Sequence, residues 1–171
     1  MSRSAINVAV TIDAPPETVL AVLCDVERWP EWTPTMTSVQ RLDQGPFGVG
    51  SSAQIRQPKL RPAVWKVTEL EDQRNFTWVA RTPGLRMKAG HLIERQGTGS
   101  RVQLSFELSG LMARVVSRLY GGLIEQYVNT ESQKLKQRSE STATEPLALM
   151  QSISAVDEQT IAHDAHGEQG Q

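Results

Sequence analysis

The chain of 171 residues has one cysteine, three histidines, no Lys or Arg beyond Arg138 and no apolar run long enough to cross a bilayer. Each shortage removes a class of function. A single thiol, Cys24, cannot form an internal disulfide, and its place after Val19-Leu20-Ala21-Val22-Leu23 predicts a small core residue. No Cys or His cluster has metal-ligand spacing, and His163 and His166 are too isolated to argue for a metal. Phosphate loops, dinucleotide fingerprints and Gly-x-Ser-x-Gly elbows are also missing, so no metal and no cofactor is expected. Met1 to Asp13 alternates polar and apolar residues and lacks the apolar core of a signal peptide, which places the chain in the cytoplasm.

At 39% hydrophobic residues the chain can bury one substantial core. Residues 1–139 hold eighteen Lys and Arg against thirteen acids, a net of +5, and the six acids that follow give the remainder -6. The cations of the body are scattered through strands and loops without an interleaved aromatic stripe, so no nucleic acid is expected. Residues 140–171 contain no aromatic and little apolar area to offset ordering, which predicts an acidic, mostly disordered tail with a transient helix over 147–156.

Within the body, Ile6, Val8, Val10 and Ile12 alternate at the strand period. Asp13 is a candidate cap for a short helix over 16–24, and a second helical turn follows Asp25, with Pro30 expected to interrupt or end it. Six strands are then expected over 37–42, 51–57, 63–71, 75–81, 85–94 and 101–109, separated by Gly, Pro and Asp turns too short for parallel crossovers. After Gly110, apolar residues at helical spacing predict a helix over 111–138, about 40 Å long. Gly121 and Gly122 in its middle suggest a kink, a close backbone approach or space left for a ligand. These elements bury their apolar faces if the sheet curls around the last helix. The expected class is α+β: a helix grip, with a curved antiparallel seven-stranded sheet around a long C-terminal helix and two short helices after strand 1.

The opening Ile12-Asp-Ala-Pro-Pro-Glu-Thr-Val-Leu-Ala-Val-Leu-Cys-Asp-Val-Glu-Arg-Trp-Pro-Glu-Trp-Thr-Pro resembles that of the polyketide cyclase/dehydrase and lipid transport family, within the START/Bet v 1-like superfamily known as SRPBCC. Gly48-Val-Gly, Pro62-Ala-Val-Trp-Lys-Val-Thr-Glu-Leu, Phe76-Thr-Trp and Gly90-His-Leu-Ile-Glu follow in the order used by that family, so the resemblance covers about residues 4–138. It implies an interior cavity for an apolar or aromatic ligand. Members include cyclases, dehydratases, lipid carriers and receptors, so the fold does not settle the activity.

Trp32, Trp65 and Trp78 suit either a pocket wall or ordinary core, whereas Trp29 is expected to pack a short helix against the sheet rim. Strand alternation turns Phe76 inward with Trp78, and Leu104 with Phe106. Ile55, Met87, Leu20, Leu123 and Tyr127 complete the expected cavity. His91, the one histidine of the body, and Tyr127 are weak candidates for proton transfer or ligand contact. Glu94, three residues from His91, falls on the opposite strand face and makes no dyad with it. Arg56, Arg81 and Arg101 are candidates for a ligand carboxylate, with extension into solvent as the alternative. Three functions remain open: binding or carriage of a hydrophobic small molecule, with transient membrane contact; a cofactor-independent cyclase or dehydratase; and a protein-interaction module that uses the acidic tail.

Overall fold

The computed structural model describes the backbone of residues 3–71 and 74–164, and the side chains of 5–71 and 74–144. The chain runs β1 (Arg3–Ile12), α1 (Pro16–Cys24), a 3-10 turn (Val26–Arg28), α2 (Trp29–Trp32), β2 (Ser38–Arg41), β3 (Ser52–Arg56), β4 (Ala63–Glu71), β5 (Asn75–Thr82), β6 (Leu85–Gln96), β7 (Gly99–Ser109) and α3 (Ala113–Asp164). All pairings are antiparallel in the order β1-β7-β6-β5-β4-β3-β2, so the first strand returns to the edge beside the last. This is the expected helix grip. Along β1, the even-numbered residues from Ile6 to Ile12 face the core and the odd ones face solvent.

Local capping differs from expectation. The cap of α1 is Pro15, without a side-chain hydrogen bond, and the Asp13 N–H instead donates to Glu140 Oε1 at 2.8 Å. Asp25 precedes the 3-10 turn without a side-chain cap bond. Pro30 opens α2 and does not end it, because the missing N–H falls in the first turn, where it has no helical acceptor.

The last helix overruns its expected end at Arg138. Lys136 Nζ donates to Thr11 O at 2.8 Å and to Glu140 Oε1 at 2.6 Å, so residues 136–140 are fastened to the end of β1, and Ala143 packs on the core. No break in secondary structure marks the boundary at 139/140. The helix continues through Asp164, and the side chains beyond Thr144 and the whole of 165–171 lie outside the described residues.

A close approach sets the other end of α3. A Cβ on Gly110, whose φ is +110°, would lie 2.5 Å from Gly84 O, and the Met112 N–H donates to that same carbonyl at 2.9 Å. The start of α3 is thereby tied to the β5–β6 turn. From there α3 packs on β1, β7, α1 and α2, and the middle of the sheet stands away from it. Gly121 and Gly122 explain neither a close approach nor a ligand space: the only atom within 4 Å of a Cβ at either is Ser117 Oγ, and neither lines the interior cavity.

Two measurements follow from these contacts. Gly122→Ala should stabilise the protein by roughly 0.5–1 kcal/mol in urea unfolding, because it adds helix propensity where nothing is displaced. A destabilised variant would mean that the site is packed. Asp43 accepts from the Ser52 N–H at 2.7 Å and from Arg41 Nη2 at 2.7 Å, closing the β2–β3 connection. These bonds hold its carboxyl down to about 2. The stabilisation is complete above the unfolded value near 4 and is lost as pH falls through about 2. The stability gap between wild type and Asp43→Asn should therefore be full at pH 6 and shrink between pH 4 and 2; a constant gap would contradict the assignment.

Candidate functional site

Between α3 and the centre of the sheet lies a cavity of about 920 Å³. This is near the top of the usual range for small-molecule sites, about 300–1,000 Å³. Alternation along the strands builds its floor: Trp65 from β4, Trp78 from β5, Met87 and Ala89 from β6, and Phe106 from β7. These residues neighbour one another through the register, with Trp65 opposite Ala80, Trp78 opposite Ala89 and Ala89 opposite Phe106. Ala89 places a small side chain on the lining between Trp78 and Phe106 in the register. Trp78 lies 5.6 Å from Trp65 and 5.1 Å from Trp29, centroid to centroid, in tilted pairs.

The roof is a stripe formed by Met112, in the turn just before α3, and by Val116, Tyr120, Ile124, Val128 and Glu131 on α3. Five apolar or aromatic positions end in an acid. Glu131 Oε1 lies 2.9 Å from Nε2 of His91, a residue 3% exposed that shares the inward face of β6 with Met87 and Ala89. His91 Nδ1 lies 3.3 Å from Phe76 O, and its ring stacks on Phe76 at 5.3 Å and meets Trp29 edge-on at 5.9 Å. The shorter contact, at Nε2, is a hydrogen bond between imidazole and carboxyl that joins β6 to α3, and which of the two groups donates follows from the imidazole tautomer. The pairing offsets the cost of burying the two polar groups.

At the other end, the start of α3, the β3–β4 loop and the β5–β6 turn line the cavity with exposed residues, among them Lys59, Arg61 and Pro83, and this end is taken as its mouth. Segments 56–62, 81–86 and 111–122 meet here and contain seven Lys and Arg and no acid, a concentration that scattering along the sequence conceals. Beside these charges Leu111, Val115 and Leu119 form an i, i+4, i+8 stripe in which Leu111 is 91% and Leu119 70% exposed. The Tyr127 hydroxyl reaches across the cavity edge and donates to Pro58 O.

Of the residues expected from the sequence, Ile55, Trp65, Trp78, Met87, Phe106 and Tyr127 line this space. Phe76 and Leu104 are core behind it, and Leu20, Trp32 and Leu123 are half-buried outside it. Leu123 misses because the inward stripe passes through Ile124. His91 backs the wall through Glu131, and Tyr127 is engaged with a backbone carbonyl. Trp29 is both fully buried packing, its indole N–H donating to Leu23 O at 3.1 Å, and cavity lining. Arg56, Arg81 and Arg101 are exposed, and the cations that do reach the cavity are Lys59 and Arg61. Glu131 was missed. Its signal is an acid in the middle of an apolar helical stripe, four residues before the fully buried Leu135. Cys24 is half-buried on α1, and among the described residues no group of three or more His, Cys, Asp or Glu could hold a metal.

Residues 3–140 match the model of the family described as polyketide cyclase / dehydrase and lipid transport. Among solved structures, the chain is similar to TTHA0849 from Thermus thermophilus, with 16% identity, a TM-score of 0.68 and coverage of 82% of this chain and 99% of that one. It is similar to Ara h 8.0201 at 13% identity and TM-score 0.65, covering 82% and 99% of the two chains, and to MLL2253 from Mesorhizobium loti at 19% and 0.64, covering 81% and 98%. At these identities the likeness is one of fold. No curated protein matches the sequence.

Removing one member of the buried couple strands the other. His91→Leu should destabilise the fold by about 1–3 kcal/mol in urea unfolding, because Glu131 then faces an apolar wall. His91→Leu combined with Glu131→Leu should recover most of that loss. A double variant no more stable than the single one would show that the two side chains are not energetically coupled.

Proposed function

The chain belongs to the polyketide cyclase/dehydrase and lipid transport family, and from that premise and the cavity we propose that it is a cytoplasmic carrier of a hydrophobic small molecule of lipid, polyketide or aromatic type. The observation that carries this reading is the unfilled space itself. A core of three tryptophans and a phenylalanine ordinarily closes to crystal-like density, and an empty apolar volume forfeits dispersion contacts. Here the rings pack on one another along one side and still border about 920 Å³. The ligand-binding residues proposed are Trp65, Trp78, Met87, Ala89 and Phe106 on the floor and Val116, Ile124 and Tyr127 on the roof.

Exchange is assigned to the basic mouth. Exposed leucines flanked by Arg114 and Arg118 suit transient contact with an anionic membrane surface, where apolar side chains enter the interface and cations meet lipid phosphates. No helix among the described residues is long and apolar enough to cross a membrane. The bond from Tyr127 to Pro58 then acts as a latch on the β3–β4 loop.

A second reading, a cofactor-independent cyclase or dehydratase, is favoured by one observation: the proton held between His91 and Glu131 at a cavity wall. The two readings separate on the chemistry of the bound material after incubation. A carrier returns it unchanged, a dehydratase returns it short of one water, and a cyclase returns an isomer of equal mass that chromatography separates from the starting material.

Ala89→Trp should fill the space between Trp78 and Phe106 and weaken binding of the apolar fluorophore N-phenyl-1-naphthylamine at least about tenfold without lowering the melting temperature. Unchanged affinity in the folded variant would contradict the assignment. In vesicle sedimentation the protein should bind phosphatidylcholine vesicles only when phosphatidylglycerol is added, and less at high salt. Arg114→Glu with Arg118→Glu should abolish that binding. Equal binding to both vesicles would remove the cations from the account, and binding to neither would remove the membrane.

A further inference from the structure

Glu131 is the polar group of the cavity lining that stands apart from the mouth. Apart from the indole N–H donors of Trp65 and Trp78 on the floor, the other polar lining side chains either belong to the segments around the entrance, as Gln57, Lys59, Arg61, Thr82 and Tyr120 do, or are occupied, as the Tyr127 hydroxyl is at Pro58 O. From Met112 at the mouth to Glu131 the roof extends nineteen residues, about 28 Å at roughly 1.5 Å each. The cavity is thus a long apolar chamber with a carboxyl at its far end, beside Trp29 and Val128.

We propose that Glu131, held by His91, is a subsite for the hydroxyl group of an otherwise apolar ligand, which enters with that alcohol, phenol or enol leading. The inference rests on the carrier reading and specifies its ligand class. The chemistry of the carboxyl supplies the direction of the hydrogen bond. Oε1 is the atom engaged with His91 Nε2, and the described residues give Oε2 no partner. If Glu131 is a carboxylate, Oε2 accepts. If Glu131 is the acid that donates from Oε1 to His91, Oε2 is its carbonyl oxygen and again accepts. In both proton placements Glu131 presents an acceptor, and the ligand group that matches it is a donor. His91 is a positioning residue: its Nδ1 is fixed to Phe76 O and its ring is clamped between Phe76 and Trp29, so the carboxyl cannot swing away. Packing alone does not require this arrangement, since an apolar pair of similar volume would join α3 to β6 without desolvating a carboxyl.

A site built around one hydrogen bond discriminates strongly against a ligand that lacks the donor, because its buried acceptor is then left unpaired. The test compares 4-nonylphenol with 4-nonylanisole, which share a skeleton and differ by replacement of the phenolic hydrogen with methyl. Titration by tryptophan fluorescence should show the phenol bound at least about tenfold more tightly by the full-length protein. In Glu131→Ala, which also makes room for the methyl group, that preference should fall to within about threefold while the anisole keeps measurable affinity. His91→Gln, which keeps a hydrogen-bonding neighbour for Glu131, should retain part of the preference. Equal affinity of wild type for the two ligands overturns the subsite and leaves the carrier reading intact, and so does a preference that survives in Glu131→Ala. Failure of wild type to bind either ligand overturns both. The wild-type comparison decides the matter even if a variant fails to fold.

Discussion

One helix cannot cover the concave face of a seven-stranded sheet. The remainder of this structure follows from how that shortfall is distributed. The last helix is fixed at two distant points: its start to the β5–β6 turn through the Gly84 and Gly110 approach, and its middle to the end of β1 through Lys136 and Glu140. Between them it leans on β1 and β7, and the uncovered middle of the sheet becomes the wall of a chamber. Trp29 of α2 lines one end of the chamber, and exposed residues of the β3–β4 loop, the β5–β6 turn and the start of α3 line the other.

The chamber has a polarity along its length. At the mouth, cations from three separate segments gather beside exposed leucines, so the protein presents a positive and partly apolar rim. At the far end, a carboxyl and an imidazole are hydrogen-bonded behind an aromatic floor. Burying such a couple without a further role costs desolvation that apolar residues would avoid. Its place on the lining ties it to what the chamber holds, in the same way that Ala89, between Trp78 and Phe106 in the register, ties the floor to the volume it leaves.

Most of the fold was legible in the residues. Strict alternation in β1, turn chemistry between the later strands and a long apolar stripe fixed the element order, because each depends on local periodicity. The floor was partly legible for the same reason: the strand period turned Trp78 and Phe106 inward, although it turned Phe76 and Leu104 inward with them and these pack as core behind the cavity. The roof was less so. The apolar stripe was broad enough to hold both Leu123 and Ile124, and the spacing alone does not say which faces inward; in the structure Ile124 and Val128 are buried and Leu123 is half-buried. The partner of His91 lies forty residues away on another element, and no local spacing reports such a pair. The same limit hid the basic mouth, assembled by topology from three segments, and the continuation of α3, whose fastening to β1 joins residues more than a hundred positions apart.

The central claim is that the chamber is occupied in the working protein. Native mass spectrometry of protein purified gently from its own cells tests it most directly, followed by denaturing extraction of whatever travels with it. The account predicts one apolar molecule per chain, bearing a hydroxyl group and released on unfolding. A mass equal to the bare polypeptide, with nothing in the extract, would contradict it.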